Sequence, residues 1–496
     1  MSTPAWASSL TWRHCLPRTS RRRAMNDQLN TQDLQAILRS MKRAHLNAGP
    51  ADAQLRQDRL QRSAKLIRDN HQAISDAMSA DFGNRSIYQS MVADLVTTIK
   101  MLEHSAVHVE QWMQPEQVES PGPGMQAWIE QQPLGVVGII SPWNFPINLA
   151  FGPLAGVFAA GNTAMLKPSE LTPRTSELLA ELVARYFDPN ELTVVLGDAG
   201  VGQAFSALPF DHLIFTGSTA VGKHVMRAAA ENLVPVTLEL GGKSPVVVAE
   251  DFDIRTAVQR TLTIKSFNAG QICLSPDYMM IAQSALEPLV QASKAFVAES
   301  FPSLIGNPEY TSIINPRHFE RLAGLLEDAE RKGARVISLA PEGEPSLDVR
   351  SRKIAPHLVL DVTDEMAIMQ EEIFGPLLPV KTYAHVDESI AYINANPRPL
   401  AAYYFGDDPL QQQRFSAQTT SGGLVINDVM THVSVDSLPF GGVGASGMGA
   451  YHGVHGFRRF THAKPVVVQS QDGASSLRLR APYAAKAQAL DAFLND

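Results

Sequence analysis

The sequence predicts an α/β protein with a parallel sheet covered on both faces, followed by a second α/β domain. Three observations carry this. Short β-branched runs alternate with helical ones from Gly135 onward. The 496 residues exceed what a single growing core fills, so two or three domains are expected. The unusual loops, rich in Pro, Gly and hydroxyl residues, stand directly after the strand-like runs, where open α/β sheets bind their ligands.

From Met25 to about Gln111 the pattern is helical. The runs Leu34–Leu38 and Met91–Val96 carry apolar residues at three- and four-residue spacing. Residues Gln114 to Gln132 are rich in Pro, Gly and Gln, with a turn at Pro121-Gly-Pro-Gly124, and read as a hairpin leaving the first domain. Strands are then expected at Val136–Ile140, Thr163–Leu166, Thr193–Leu196, His212–Phe215 and Val236–Leu240. Helices are expected between them at Asn148–Ala160, Thr175–Phe187 and Ala220–Ala230. The alternation resumes with strands Pro245–Ala249 and Tyr278–Ala282 and helices Ile254–Ile264 and Leu286–Glu299, which places a domain boundary near Glu239.

Bulk properties narrow the function. With 45% hydrophobic and 19% charged residues the composition is that of an ordinary globular protein. There is no apolar stretch of about 18 residues, so no membrane span is predicted. A net charge of −8 argues against a dedicated nucleic-acid binder and for small-molecule partners. Residues 1–24 hold five arginines, no acidic residue and Cys15; they resemble a transit peptide but read better as a disordered basic extension before Met25. Two cysteines so placed make a disulfide framework improbable and point to a reducing, cytoplasmic setting.

Cys273 ends the small, polar run Phe267-Asn-Ala-Gly-Gln-Ile-Cys273, whereas a cysteine kept for packing would sit in an apolar one. As a nucleophile it needs a cation, dipole or base nearby, because a free thiol titrates near pH ~8.5. Glu239, in Val236-Thr-Leu-Glu239, is the candidate base. Asn144, between Pro142 and Pro146, is either a rigidly aimed oxyanion donor or a helix cap. Lys167 and Glu170 could bind ribose hydroxyls or simply open a helix. Gly217, Ser218 and Gly222 suit close backbone approach to a phosphate at a helix N-terminus, although their spacing is neither a dinucleotide fingerprint nor a P-loop. The formal Gly442-Val-Gly444-Ala-Ser-Gly447 fingerprint reads as a decoy, since it follows no strand. His452, His455 and His462 match no zinc spacing, so no metal site is assigned, and no Gly-x-Ser-x-Gly elbow is present.

Taken together, seven ordered segments from about residue 30 to 470 resemble the aldehyde dehydrogenase superfamily. They are Pro142-Trp-Asn-Phe-Pro146, Lys167-Pro-Ser-Glu170, Gly217–Gly222, Leu238–Lys243, Gly270-Gln-Ile-Cys273, Glu371–Pro376 and Pro439-Phe-Gly-Gly442. Within it the chain is most similar to the short, class-3-like branch and to coniferyl aldehyde dehydrogenases, a placement carried by Cys273–Tyr278 and Gly447–Gly453; Tyr278 stands where most members have arginine. The resemblance implies that Cys273 is the nucleophile, Glu239 the base for the deacylating water and Asn144 the oxyanion donor. It implies that Lys167 and Glu372 hold ribose hydroxyls, that Phe374 flanks the nicotinamide, and that Trp143, Glu170, Gly217, Ser218 and Gly222 belong to the cofactor site. A carboxylate at Glu170 would repel a 2′-phosphate, so NAD is expected, with NADP possible.

The implied layout is a Rossmann-type cofactor domain over 25–113 and 134–238, and a catalytic domain over 239–440. A bridging element over 114–133 and 441–475 would join a homodimer, and a tail would follow over 476–496. The expected reaction is oxidation of an aromatic, coniferyl-type aldehyde to a carboxylate. The alternatives are a medium- or long-chain aliphatic aldehyde or, more remotely, a non-enzymatic protein on the same fold.

Overall fold

The chain is described here by a computed structural model covering residues 30–119, 122, 124–473 and 476–495. The basic extension 1–24 and part of the Pro121–Gly124 turn lie outside these residues. A six-stranded sheet runs, edge to edge, through Gly447–Met448, Val236–Glu239, His212–Thr216, Val136–Ile140, Thr163–Lys167 and Leu192–Val194. All its pairings are parallel except the one to Gly447–Met448. Its four middle strands are almost wholly buried, which is why they read as continuous apolar runs rather than alternating ones.

Strand order decides where a ligand can bind. From Val136–Ile140 the chain adds two strands on one side, then returns to add His212–Thr216 and Val236–Glu239 on the other. The order therefore reverses between Val136–Ile140 and His212–Thr216, and in open α/β sheets the crevice that takes a ligand lies beyond the carboxyl ends of such a pair. Pairing of Ile140 with Lys167 and Phe215, and of Thr216 with Glu239, sets four strand ends level along that crevice.

The second sheet has seven strands in the order Arg335–Ser338, His357–Leu360, Leu377–Tyr383, Pro276–Ala282, Ser244–Val248, Ala401–Phe405 and Gly423–Ile426. Only its first pair is antiparallel. A third, antiparallel sheet joins Glu116–Val118, Gln126–Pro133 and Thr461–Val468, the last pairing with Gln126–Pro133 along its whole length.

Three regions differ from the sequence reading. Met91–Val96, read as an ordinary helical stripe, lies in a π-turn over Ser90–Val96. The wider turn rotates Ser90, Asp94 and Leu95 inward and leaves Met91, Val92 and Val96 exposed. Residues 441–459, grouped with the bridging element, instead pack on the first sheet. Gly447–Met448 is its antiparallel edge, and the helix Gly453–Arg459 lies against Asn148–Ala159. Finally, the tail contains a helix, Ala484–Asn495, with no buried side chain.

Gly447 makes the edge pairing possible. It has φ 145°, and a Cβ there would stand 2.1 Å from the carbonyl oxygen of Leu238. Gly447→Ala is expected to destabilise the chain by about 2 kcal/mol or more. A urea titration measures this, and an unchanged midpoint would refute the close approach.

Candidate active site

Cys273 precedes the strand Pro276–Ala282 and follows a tight turn in which Asn268 (φ 51°), Ala269 (φ 51°) and Gly270 (φ 71°) are all left-handed. Two non-glycine residues in that region are strained and need outside support. Asn268 receives it: its N–H donates to Gln89 Oε1 (3.0 Å), and its Nδ2 donates to the carbonyls of Asn144 (3.2 Å) and Gln271 (3.1 Å). Gln271 in turn donates to Asn268 O and Ser312 O and accepts from the N–H of Ile314. Gly270 is required because a Cβ would lie 2.3 Å from Gly375 O. The Cys273 turn is thereby pressed against the Glu371–Pro376 segment.

Asn144 is buried, and its Nδ2 donates to Gln271 O at 3.2 Å. An amide nitrogen carries two hydrogens, so one remains for a substrate oxygen beside the cysteine turn. The structure thus brings Asn144 to the approach to Cys273, although the sequence left open a capping role. Glu239 ends its strand fully buried, and neither carboxyl oxygen accepts a hydrogen bond from the described protein atoms. Burial holds its pKa well above the usual carboxylate range, only partly countered by Arg459.

Cys273 is half-buried. Burial, then the charges of Glu372 and Glu239, push its thiol up to about 12, while the N–H groups of Cys273 and Leu274 pull the other way. Two carboxyls therefore act on the sulfur, where the sequence argument asked for a cation, dipole or base. Glu372 itself is raised to about 8, first by burial and then by Asp277, against the opposing pull of Gly242 N–H, Lys243 and Arg321. Its carboxyl lies flat on the backbone, since a Cβ on Gly241 would come within 2.2 Å of both oxygens.

The cofactor candidates gather along the switch-point crevice. Lys167, buried at its strand end, donates to Pro168 O (3.0 Å) and to the exposed Glu170 (3.1 Å), so the two form one ion pair. Gly217 and Gly222 serve packing: a Cβ would meet the Phe215 ring at 2.6 Å and Leu240 at 2.7 Å respectively. Their N–H groups bond to Glu239 O and Ser218 O, so neither is available to a phosphate. Ser218 caps the helix Thr219–Ala230 by accepting from Val221 N–H, and the positive end of that helix faces the crevice. Trp143 packs edge-on against Phe374 at 5.4 Å, with His318 at 5.3 Å and Phe82 at 5.9 Å. Ser141 Oγ and Thr216 Oγ1, at the two ends that flank the switch point, are buried without a hydrogen-bond partner among the described residues. Unpaired hydroxyls, a helix N-terminus and two ion-paired strand-end groups form a donor set that fits a dinucleotide.

Several residues at the site were not singled out from sequence. Lys243 bonds to Asp277 and to the carbonyls of Ile368 (2.7 Å) and Glu371 (3.0 Å). Asp277 also accepts from Ile373 N–H at 2.8 Å, so the pair ties Cys273's strand to the Glu372 segment. Tyr403 donates to Leu274 O at 2.6 Å, and buried Tyr451 lies close enough to Glu239 and Cys273 to feel both charges. The decoy glycines close an edge: Leu240 N–H bonds to Ser446 O, and Thr219 Oγ1 to Ala445 O.

Fold and site together define an α/β protein that sets a buried cysteine turn beside the switch point of a parallel sheet. The model described as the aldehyde dehydrogenase family matches residues 6–466, and this chain belongs to that family. It is 59% identical over 455 residues to the coniferyl aldehyde dehydrogenase of Pseudomonas sp. (strain HR199 / DSM 7063), covering 92% of this chain and 95% of that one. It is 39% identical over 448 residues to the dimeric NADP-preferring aldehyde dehydrogenase of Rattus norvegicus, covering 88% and 95%. The substrate-bound state of Staphylococcus aureus AldH superposes with a TM-score of 0.87 at 37% identity, covering 93% of this chain and 99% of that one.

The raised pKa of Glu239 has a measurable consequence. The native carboxyl keeps a proton that the unfolded chain releases above about pH 4.5, so this group's contribution to stability falls as pH rises through that value and beyond. Glu239→Gln removes the slope. The variant is expected to melt above the wild type by a margin that grows as pH rises above about 4.5. A margin independent of pH would show that the carboxyl is already ionised at the acid end.

Proposed function

We propose that this chain oxidises an aromatic, coniferyl-type aldehyde to its carboxylate with NAD, through a thiohemiacetal and a thioester on Cys273. The 59% identity to a coniferyl aldehyde dehydrogenase over nearly the whole of both chains carries the substrate class. As its thiol proton passes to ionised Glu239, the sulfur of Cys273 adds to the carbonyl carbon: a C–S bond forms and the π electrons move to oxygen. The free hydrogen of Asn144 Nδ2 and the N–H of Cys273 receive that oxyanion. When bound, the nicotinamide supplies the hydride acceptor. As the C–O⁻ collapses, the C–H bond breaks, its electron pair leaving as hydride to that acceptor, and a thioester remains on Cys273. Glu239, in its ionised form, takes one proton from water, whose oxygen attacks the acyl carbon; the C–S bond breaks, the product leaves as carboxylate with its second proton passing to solvent, and the thiolate is restored. Glu239 is suited to this by its unpaired oxygens and high proton affinity.

Lys167, Glu170 and Glu372 hold ribose hydroxyls in this reading, while Trp143, Phe374, Ser218 and the Gly217–Gly222 loop shape the rest of the dinucleotide site. NAD is preferred because Glu170 both repels a 2′-phosphate and engages Lys167, the cation that would attract one. The chain works in the cytoplasm as a homodimer. Thr461–Val468 supports the homodimer, being an edge strand with one open side and exposed Val467 and Val468.

Competition kinetics with coniferaldehyde, benzaldehyde and decanal test the substrate class. Coniferaldehyde is expected to win, and decanal winning by more than about tenfold in kcat/KM, about 1.4 kcal/mol, would reject the aromatic assignment. Cys273→Ala is expected to abolish turnover with the fold intact, and Glu239→Gln to accumulate acyl-enzyme with a pre-steady-state burst. Full steady-state turnover in either variant removes that residue from its role.

A further inference from the structure

The loop that carries Asn144 is gripped by a charge pair with no part in the chemistry above. Arg85 and Asp94 are fully buried and ion-paired at 2.7 Å. Arg85 Nη1 donates to the carbonyl of Asn144 at 2.8 Å, and Asp94 Oδ1 accepts from the N–H groups of Ile147 (3.0 Å) and Asn148 (3.1 Å). The guanidinium also stands 4.8 Å from the Phe82 ring and 5.2 Å from the Phe145 ring. The pair thus holds the main chain on both sides of Phe145. Asn148 Nδ2 adds a bond to Thr98 Oγ1 at 3.0 Å, one helical turn beyond Asp94.

Two buried charges are an expensive way to fill a core, and a well-packed apolar pair would serve stability as well. What they supply is direction. The carbonyls of Phe145 and Ile147 bond into the helix Asn148–Ala159, but among the described residues the Asn144 carbonyl and the N–H groups of Ile147 and Asn148 have no strand or helix partner, so they need donors and acceptors from elsewhere. Asp94 reaches them from the π-turn Ser90–Val96, which turns it inward. The carbonyl that Arg85 holds also accepts from Asn268, in the turn that presents Cys273, so the grip extends to the nucleophile's side of the site.

We propose that Arg85 and Asp94 are positioning residues for aldehyde oxidation, fixing the Asn144 main chain so that its side-chain amide meets the developing oxyanion. This rests on Asn144 being the oxyanion donor. The test is a double-mutant cycle on the full-length protein with Asn144→Ala, Arg85→Met and both together, reading kcat, KM for aldehyde and Kd for NAD by fluorescence. Asn144→Ala is expected to lower kcat about 100-fold. Arg85→Met is expected to lower kcat at least tenfold, with KM and Kd moving less than about twofold, and Arg85→Lys to recover part of the loss. The double variant is expected to match Asn144→Ala within about threefold, because a group that acts through Asn144 has nothing left to position. If Arg85→Met does not fold, Asp94→Asn, which keeps the Oδ1 acceptor, completes the same cycle. Losses that multiply, or fall equally on Kd, overturn the positioning role while leaving Asn144 its own. Undiminished kcat in Asn144→Ala overturns both.

Discussion

Asn268 stands in left-handed backbone in the turn before Cys273, and its Nδ2 bonds to the carbonyl of Gln271 in that turn and to the carbonyl of Asn144 on a separate loop. Asn144 closes the figure by donating to Gln271 O itself. This small knot sets where the side-chain amide lies relative to Cys273, two residues beyond Gln271. The left-handed turn is strained on its own, and the strain is sustained because each member of the knot is bonded from a further direction: Asn268 by Gln89, Gln271 by Ser312 and Ile314, and the Asn144 carbonyl by Arg85. The first domain supplies Gln89, Arg85 and Asn144, and the second supplies the rest. The two domains are therefore held together at the point where the chemistry needs them to meet.

The charge balance at that point is unusual for a nucleophile. No cation is among the groups that move Cys273, and Glu239 and Glu372 both oppose its ionisation. The positive charges nearby are committed elsewhere. Arg459 donates to Thr237 and Val236 O at the base of Glu239's strand, and Lys243 is bonded to Asp277 and two carbonyls. A sulfur in these surroundings is a thiol, and only added positive charge or a proton acceptor can make it a thiolate. The same burial that keeps it neutral strengthens any donor that later meets an oxyanion there.

What could be read from the sequence was local. Strand-end loops announce themselves through composition, so Asn144, Lys167, Gly217, Ser218, Glu239 and Cys273 could each be named from the few residues around them. Partnerships across the chain left almost no trace. The Arg85–Asp94 pair serves a loop more than 50 residues further on, and Lys243 meets Asp277 through folding alone. One signal was available: Asp94 interrupts the apolar run Met91–Val96, and a charge on the face expected to be buried is worth a question. The π-turn that resolves it cannot be seen in a three- and four-residue spacing. The packing of residues 441–459 on the first sheet is hard to read for a related reason, since the two-residue antiparallel edge Gly447–Met448 has no β-branched signature.

Catalytic loops pose a general difficulty that buried charge solves here repeatedly. Apolar contacts are non-directional, so they can bury a loop without fixing where its carbonyls point. Hydrogen bonds fix direction, and an irregular segment has no ladder to provide them. Arg85 and Asp94 hold residues 144–148, Lys243 and Asp277 hold the backbone between Ile368 and Ile373, and Arg321 bonds to the carbonyls of Glu372 and Ile373. In each case a charged side chain reaches main-chain groups of an irregular segment, from regular elements for Asp94, Asp277 and Arg321 and from neighbouring loops for Arg85 and Lys243. Elsewhere in the interior the same device appears where Lys353 gathers the carbonyls of Leu304, Ile305 and Asn307. The site's geometry is thus a property of the polar interior as much as of the sheets. Substitutions at these buried charges should reach the chemistry from positions that never touch the substrate.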